Sequence, residues 1–106
     1  MFYRLYASKD GQSHLEEHAP PEHVGATEIV FRESQPGEFI DWHTAPRKQY
    51  VVTLSGESEV EIGDGTKIRL HPGHILLAED TTGQGHISRA VGNSDRISLF
   101  IPLVEQ

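Results

Sequence analysis

From residue 26 onward the chain is a train of short apolar segments, none with the length of an ordinary helix. "ATEIVFRES", "EFIDWH", "QYVVTLSG", "ESEVEIG", "TKIRL", "HILLAE", "HISRAV" and "RISLFIPL" follow one another roughly every ten residues, each bounded by Gly, Pro, Asn, Asp or Ser. Their β-branched and aromatic side chains fit a pleated surface and are stiff in a helix. "GDG" at residues 63–65 lies between two alternating segments and predicts a hairpin turn. Regular short strands with this punctuation predict an all-β sandwich or barrel rather than alternating helices and strands. The apolar residues of these segments, from Val51 and Leu54 through Leu70 and Leu77 to Ile97 and Ile101, are expected to pack its sheets. The continuous run "HILLA" predicts burial on both faces.

Residues 10–25, "DGQSHLEEHAPPEHVG", break the pattern. The segment is polar, and Pro20 with Pro21 would end any helix begun near Ser13 after little more than a turn. It is expected to be an arm or loop leading into the barrel. Within it "HLEEH", His14 to His18, has the H-x-x-E-H form of inverted zincins, whose two histidines stand one helical turn apart. That site needs a long helix, which the prolines deny, so solvated loop histidines are expected.

A length of 106 residues suits one domain with one core, and 36% apolar with 24% charged residues is a globular composition. The net charge of −7 argues against nucleic acid, whose phosphates demand an attracting field. Arg47 and Lys48 are expected to be solvated loop charges, the functional alternative being a clamp on a substrate carboxylate. With no cysteine, disulfides, thiolate metal sites and cysteine nucleophiles are excluded. "MFYRLYASKDG" has no apolar run that suits a signal peptide, and no later stretch approaches a membrane span. No membrane partner and a cytoplasmic location are therefore expected.

The spacing of polar residues around the strand pair at residues 37–56 carries the strongest signal. Five residues separate Gly37 from His43, one separates His43 from Ala45, three separate Ala45 from Gln49 and six separate Gln49 from Gly56. This spacing resembles the first cupin motif, in which a glycine precedes His-x-His, a glutamate and a closing glycine. Downstream, Pro72-Gly73 resembles the turn between cupin motifs, and Gly83-Gln84-Gly85-His86 resembles the Gly-x-x-His of the second motif. The resemblance covers roughly residues 27–103, and the stretch "LAEDTTGQGH" is similar to that of small bacterial single-domain cupins that are themselves uncharacterised. It implies a double-stranded β-helix, the jelly-roll barrel of the cupins, over a single domain of residues 1–106. Residues 1–26 would supply an N-terminal strand and the polar arm, and residues 27–103 the barrel. It also implies a homodimer.

In the family, two histidines two residues apart on a strand face the interior, and a glutamate and a later histidine complete a metal shell. Such imidazole and carboxylate sets suit Fe, Mn, Ni, Cu or Zn. This chain has Ala45 at the second histidine position and Gln49 at the glutamate position. In the second motif Thr81 replaces a proline, Ala90 replaces an asparagine, and the interval from Gly73 to Thr81 is longer than the family's. His43, Gln49 and His86 remain as candidate ligands or catalytic groups. Two neutral imidazoles and an amide would leave a divalent charge uncompensated, so the metal is expected to be weakly held or absent. Gln49 can still donate to and accept from a substrate hydroxyl or carboxyl.

Two carboxylates could restore the set. Asp41 lies two residues before His43 and on a regular strand would share its face, and Asp80 in the "AEDTTG" loop is the second candidate. The alternatives are an exposed Asp41 and an Asp80 that caps its own turn. His71 and His74 flank Pro72-Gly73 and are expected at the surface. Arg89, three residues past His86, should face away from it in a structural salt bridge. Trp42 and Tyr50 should face away from the pocket, in the core or in a dimer contact.

Three functions fit these residues. One is an enzyme, or an enzyme-derived pocket, acting on a polar metabolite through His43, His86 and Gln49. The second is a metabolite-binding or sensing module without turnover, and the third a structural homodimeric subunit with a vestigial pocket.

Overall fold

The computed structural model describes residues 1–104 and consists, over them, of ten strands and no helix. β1 (Phe2–Ala7), β2 (Ser13–Glu17), β3 (Val30–Ser34), β5 (Gln49–Ser55), β8 (Ile75–Glu79) and β10 (Arg96–Pro102) form a six-stranded sheet in the order β2-β1-β8-β5-β10-β3. β4 (Phe39–His43), β6 (Glu57–Glu61), β7 (Lys67–Leu70) and β9 (His86–Val91) form a four-stranded sheet in the order β4-β9-β6-β7. From β3 onward the chain changes sheet at every connection except the β6–β7 hairpin. This is the expected jelly roll. No helix among the described residues is long and apolar enough to cross a membrane.

Local chemistry explains the crossings and turns. The hairpin predicted at residues 63–65 joins β6 to β7, with Ile62 N–H donating to Thr66 O and Asp64 Oδ1 accepting from Thr66 N–H. Gly56 turns the chain from β5 into β6 at φ +71°, where a Cβ would stand 2.5 Å from the Asp95 carbonyl oxygen. A side chain there would meet backbone, so the position demands glycine.

The larger sheet is buried on both faces over β5 and β8, as "HILLA" predicts. Leu76 and Ala78 join Leu5, Val51, Val60 and Leu70 between the sheets, while Leu77 packs outside with Tyr50 and Leu103. Tyr50 thus faces away from the interior, as its phase requires. Leu54 and Ile97 differ from expectation, being 48% and 39% exposed. They sit where the β5–β10 register slips, between Ile97 and Ser98, and their phase turns them outward.

Residues 10–25 also differ from the expected arm. Ser13–Glu17 is a strand on the edge of β1, with Leu15 opposite Leu5 and His14 opposite Tyr6. The edge of β1 supplies hydrogen bonds that outweigh the polar character of the segment. "HLEEH" is therefore extended, its histidines about 13 Å apart along the strand rather than one helical turn. His14 Nε2 lies 3.1 Å from Asp10 Oδ2, and the His18 ring packs on Phe2. The first 26 residues thus contribute two strands to the larger sheet.

Candidate functional site

A cavity of about 630 Å³ opens between the sheets, and His43, Gln49 and His86 all line it. His43 from β4 and His86 from β9 are cross-strand partners with ring centroids 4.3 Å apart. Gln49 enters from β5, 5% exposed, and its amide makes no hydrogen bond to another described residue. Ala45 also lines the cavity, buried within the apolar cluster, so the second histidine position offers a methyl group.

Glycine makes the histidine pair possible. Gly85 precedes His86 at φ +78°, and a Cβ there would lie 1.9 Å from the His43 carbonyl oxygen. Only a residue without a side chain lets the start of β9 press against the end of β4.

Each imidazole has one nitrogen engaged. His86 Nδ1 lies 2.6 Å from Asp80 Oδ2, and His43 Nδ1 lies 2.8 Å from the Asp41 carbonyl oxygen. Both partners can only accept, so Nδ1 carries the proton in each ring and Nε2 keeps its lone pair unless the ring is protonated. Both rings line the cavity, and neither Nε2 has a hydrogen-bond partner among the described residues.

Asp80 is fully buried and does not line the cavity; it stands behind His86. Its Oδ2 also accepts from Ser13 Oγ at 2.8 Å, and its backbone oxygen accepts from Ala45 N–H at 3.0 Å. Ser13 bonds the carboxylate and not the imidazole, so this is an anchored Asp–His pair and not a nucleophile triad. The "AEDTTG" carboxylate orients a cavity histidine rather than capping its own turn. Ser13 was not legible as a site residue, because only the β1–β2 pairing carries it to Asp80.

Asp41 departs from the same-face expectation. Three steps along β4, from Ile40 to His43, match two along β9, from Ser88 to His86, so a bulge breaks the alternation. Ile40 and His43 line the cavity, while Asp41 is exposed, its carboxylate accepting from Trp42 N–H. Trp42 faces away from the cavity and is 39% exposed.

Several other charged residues have structural partners. Arg89 makes the expected salt bridge, with Glu59 and Glu61 at 3.0 and 2.9 Å, and stacks over Phe39, but it lines the cavity together with His86 rather than facing away from it. Arg47 reaches Glu28 and Lys48 reaches Glu79. His71 is exposed beside Glu57, while His74 is half-buried, and that burial lowers its pKa from the ordinary imidazole value.

The donors present do not fit a resident divalent cation. No group of three or more His, Asp or Glu among the described residues converges to hold a metal. The cavity wall carries Arg32, Arg47, Arg89 and Arg96 against the single carboxylate of Glu38. His43, His86 and Gln49 bring no negative charge to offset a divalent cation, and of the wall arginines Arg32 and Arg96 have no acid partner among the described residues.

No family model and no curated protein matches the chain. Solved structures do. An uncharacterised conserved protein with a double-stranded β-helix domain from Klebsiella pneumoniae is 25% identical, with TM-score 0.54 over 74% of each chain. A cupin domain from Bordetella pertussis superposes with TM-score 0.57 at 17% identity, over 81% of this chain and all of that one, 100%. A conserved protein of unknown function from Streptococcus pyogenes is 24% identical with TM-score 0.56 over 74% of this chain, which spans only 65% of that longer one. Strand order, sheet pairing and these likenesses agree: the chain has the cupin fold, a double-stranded β-helix.

Proposed function

We propose that the cavity is an acid–base site acting on a small polar metabolite without a resident metal. The observation that carries the reading is the histidine pair: both rings line one cavity, both Nδ1 atoms are bound to acceptors, and neither Nε2 has a hydrogen-bond partner among the described residues. His86 is the base. A proton taken at its Nε2 creates a positive charge beside the Asp80 carboxylate, which offsets that charge and holds the ring in place. His43, backed only by a backbone oxygen, is the partner that hydrogen-bonds the reacting group. Gln49, whose amide has no hydrogen-bond partner among the described residues, donates to or accepts from a substrate carbonyl, hydroxyl or carboxylate.

The test is proton chemistry on a defined mixture of sugars, hydroxy acids, keto acids and amino acids, incubated with chelator-stripped protein in deuterated water and read by NMR. Deuterium incorporation or turnover of one component, falling on the order of a hundredfold or more in His86→Ala, supports the reading. Activity that needs an added metal overturns it. A component that binds but neither exchanges nor reacts points instead to a metabolite-binding module.

Assembly belongs to the same proposal. β3 and β4 are edge strands, and their Phe31, Phe39, Ile40 and Trp42 are exposed at 75%, 54%, 42% and 39%. Exposed aromatic and aliphatic residues on edge strands suit burial against a second copy. Sedimentation of wild type against Phe31→Lys reads this directly, a homodimer that dissociates in the variant being the expected result.

A further inference from the structure

The interior face of the larger sheet has a second polar end. Along β10, Arg96, Ser98 and Phe100 share the inward phase; along β5 they meet Thr53 and Val51, and along β3 they meet Ser34, Arg32 and Val30. Arg96, Arg32 and Ser34 line the cavity. Thr53 lies four residues from Gln49 on β5, so this end is about 13 Å from the amide along the strand. Val51, Leu76 and Phe100 line the wall as an apolar stretch.

Arg96 is 8% exposed, yet no carboxylate among the described residues pairs with it or with Arg32. Its side chain makes a single long contact, Nη2 to Thr53 Oγ1 at 3.4 Å, and its Nε is buried without a partner. Burial, with Arg32 adding like charge, pushes the Arg96 guanidinium below its ordinary value. Arg32 stands nearby, its guanidinium over the Phe100 ring at 5.8 Å. The other two arginines of the wall are already matched by Glu28 and by Glu59 with Glu61. An acidic chain of net charge −7 thus lines one cavity with two guanidinium groups that have no acid partner among the described residues, buried Arg96 and the more exposed Arg32. A buried, unpaired arginine is costly, and a fork of N–H donors beside a cavity fits a planar oxyanion.

We propose that Arg96 and Arg32 bind the carboxylate or phosphate of a small organic anion whose body lies along the apolar wall towards His43 and His86. This names the ligand class of the cavity and rests on the reading that the cavity binds a metabolite. It does not depend on the histidines being catalytic.

The test is thermal stabilisation at constant ionic strength by hexanoate, hexyl phosphate, inorganic phosphate and hexanol, on wild type, Arg96→Gln, Arg32→Gln and His86→Ala. Arg69→Gln serves as control, because Arg69 is exposed on β7 and lies outside the cavity. Saturable stabilisation of wild type and Arg69→Gln by hexanoate or hexyl phosphate is expected, with hexanol inert. Both cavity arginine variants should need at least about tenfold more anion. Preference between the two anions then tells carboxylate from phosphate. A response of Arg96→Gln and Arg32→Gln to the anions equal to that of wild type, or stabilisation of wild type by hexanol equal to that by the anions, overturns the proposal. If Arg96→Gln does not fold, Arg32→Gln carries the same comparison. His86→Ala should keep its anion response, so loss of proton chemistry and loss of anion binding are read separately.

Discussion

Asp80→Ala removes the one oxygen that holds Ser13 and His86 together. Its Oδ2 accepts from both, and both residues are buried, at 2% and 5% exposure, so water does not replace it. An orphaned buried donor costs about 1–3 kcal/mol, and two give roughly 2–6 kcal/mol. Asp80 Oδ1 has no partner of its own, so deleting the carboxylate also relieves an unsatisfied atom, an offset on the order of 1 kcal/mol. The net expectation is a loss of about 3 kcal/mol, in line with breaking a buried charged pair from one side. For a domain of this size that lowers Tm by roughly 12–24 °C. Asp80→Asn keeps an acceptor oxygen and loses only the charge on the hydrogen bond, a cost of about 1 kcal/mol. Urea unfolding followed by far-ultraviolet circular dichroism measures both. A cycle with His86→Ala isolates the pair, with a coupling of about 1–3 kcal/mol expected because the second deletion removes a partner already lost. Asp80→Ala within about 0.5 kcal/mol of wild type, or a coupling near zero, refutes the claim that Asp80 anchors the imidazole.

Three further outcomes follow from named contacts. Gly85→Ala forces a Cβ against the His43 carbonyl at a left-handed backbone position, so it should lower stability by about 1–3 kcal/mol or more and separate the two rings; unchanged Tm and an unchanged cavity would contradict this. Glu79 is held below its ordinary pKa of 4.5: burial acts to raise it, but Arg4 and Lys48 together outweigh burial. Its stabilisation is therefore full above pH 4.5 and lost as pH falls through the lower folded value, so the Tm gap between wild type and Glu79→Gln should be constant at neutral pH and close in acid; a gap that persists there is the contrary result. Nitrogen-15 spectra of the neutral forms should show protons on Nδ1 of His43 and His86, and Asp80→Ala should release that preference in His86 alone; Nε2–H forms in the wild type would remove the geometric basis of the acid–base reading.

Part of the site was legible because spacing survives where chemistry has changed. His43, Gln49 and His86 keep their intervals from Gly37, Gly56 and Gly83, and strand periodicity sends all three to one interior. Asp41 was misplaced by the same periodicity, because one extra residue in β4 reverses the alternation and no local residue type announces that bulge. Residues 10–25 were misread as an arm, since a polar edge strand has no apolar pattern of its own and exists by pairing with β1.

The sequence by itself determined the all-β class, the punctuation of its turns and the histidine positions, because these rest on backbone preference and on a period of two along each strand. Only the tertiary structure decided that Asp80 backs His86, that Ser13 reaches Asp80, and that Arg96 lies buried beside Arg32 with no acid partner among the described residues. Those relations join residues distant in the chain through sheet order and register. Whether a charge is compensated depends on which strands lie side by side, and that is settled when the sheets close around the cavity.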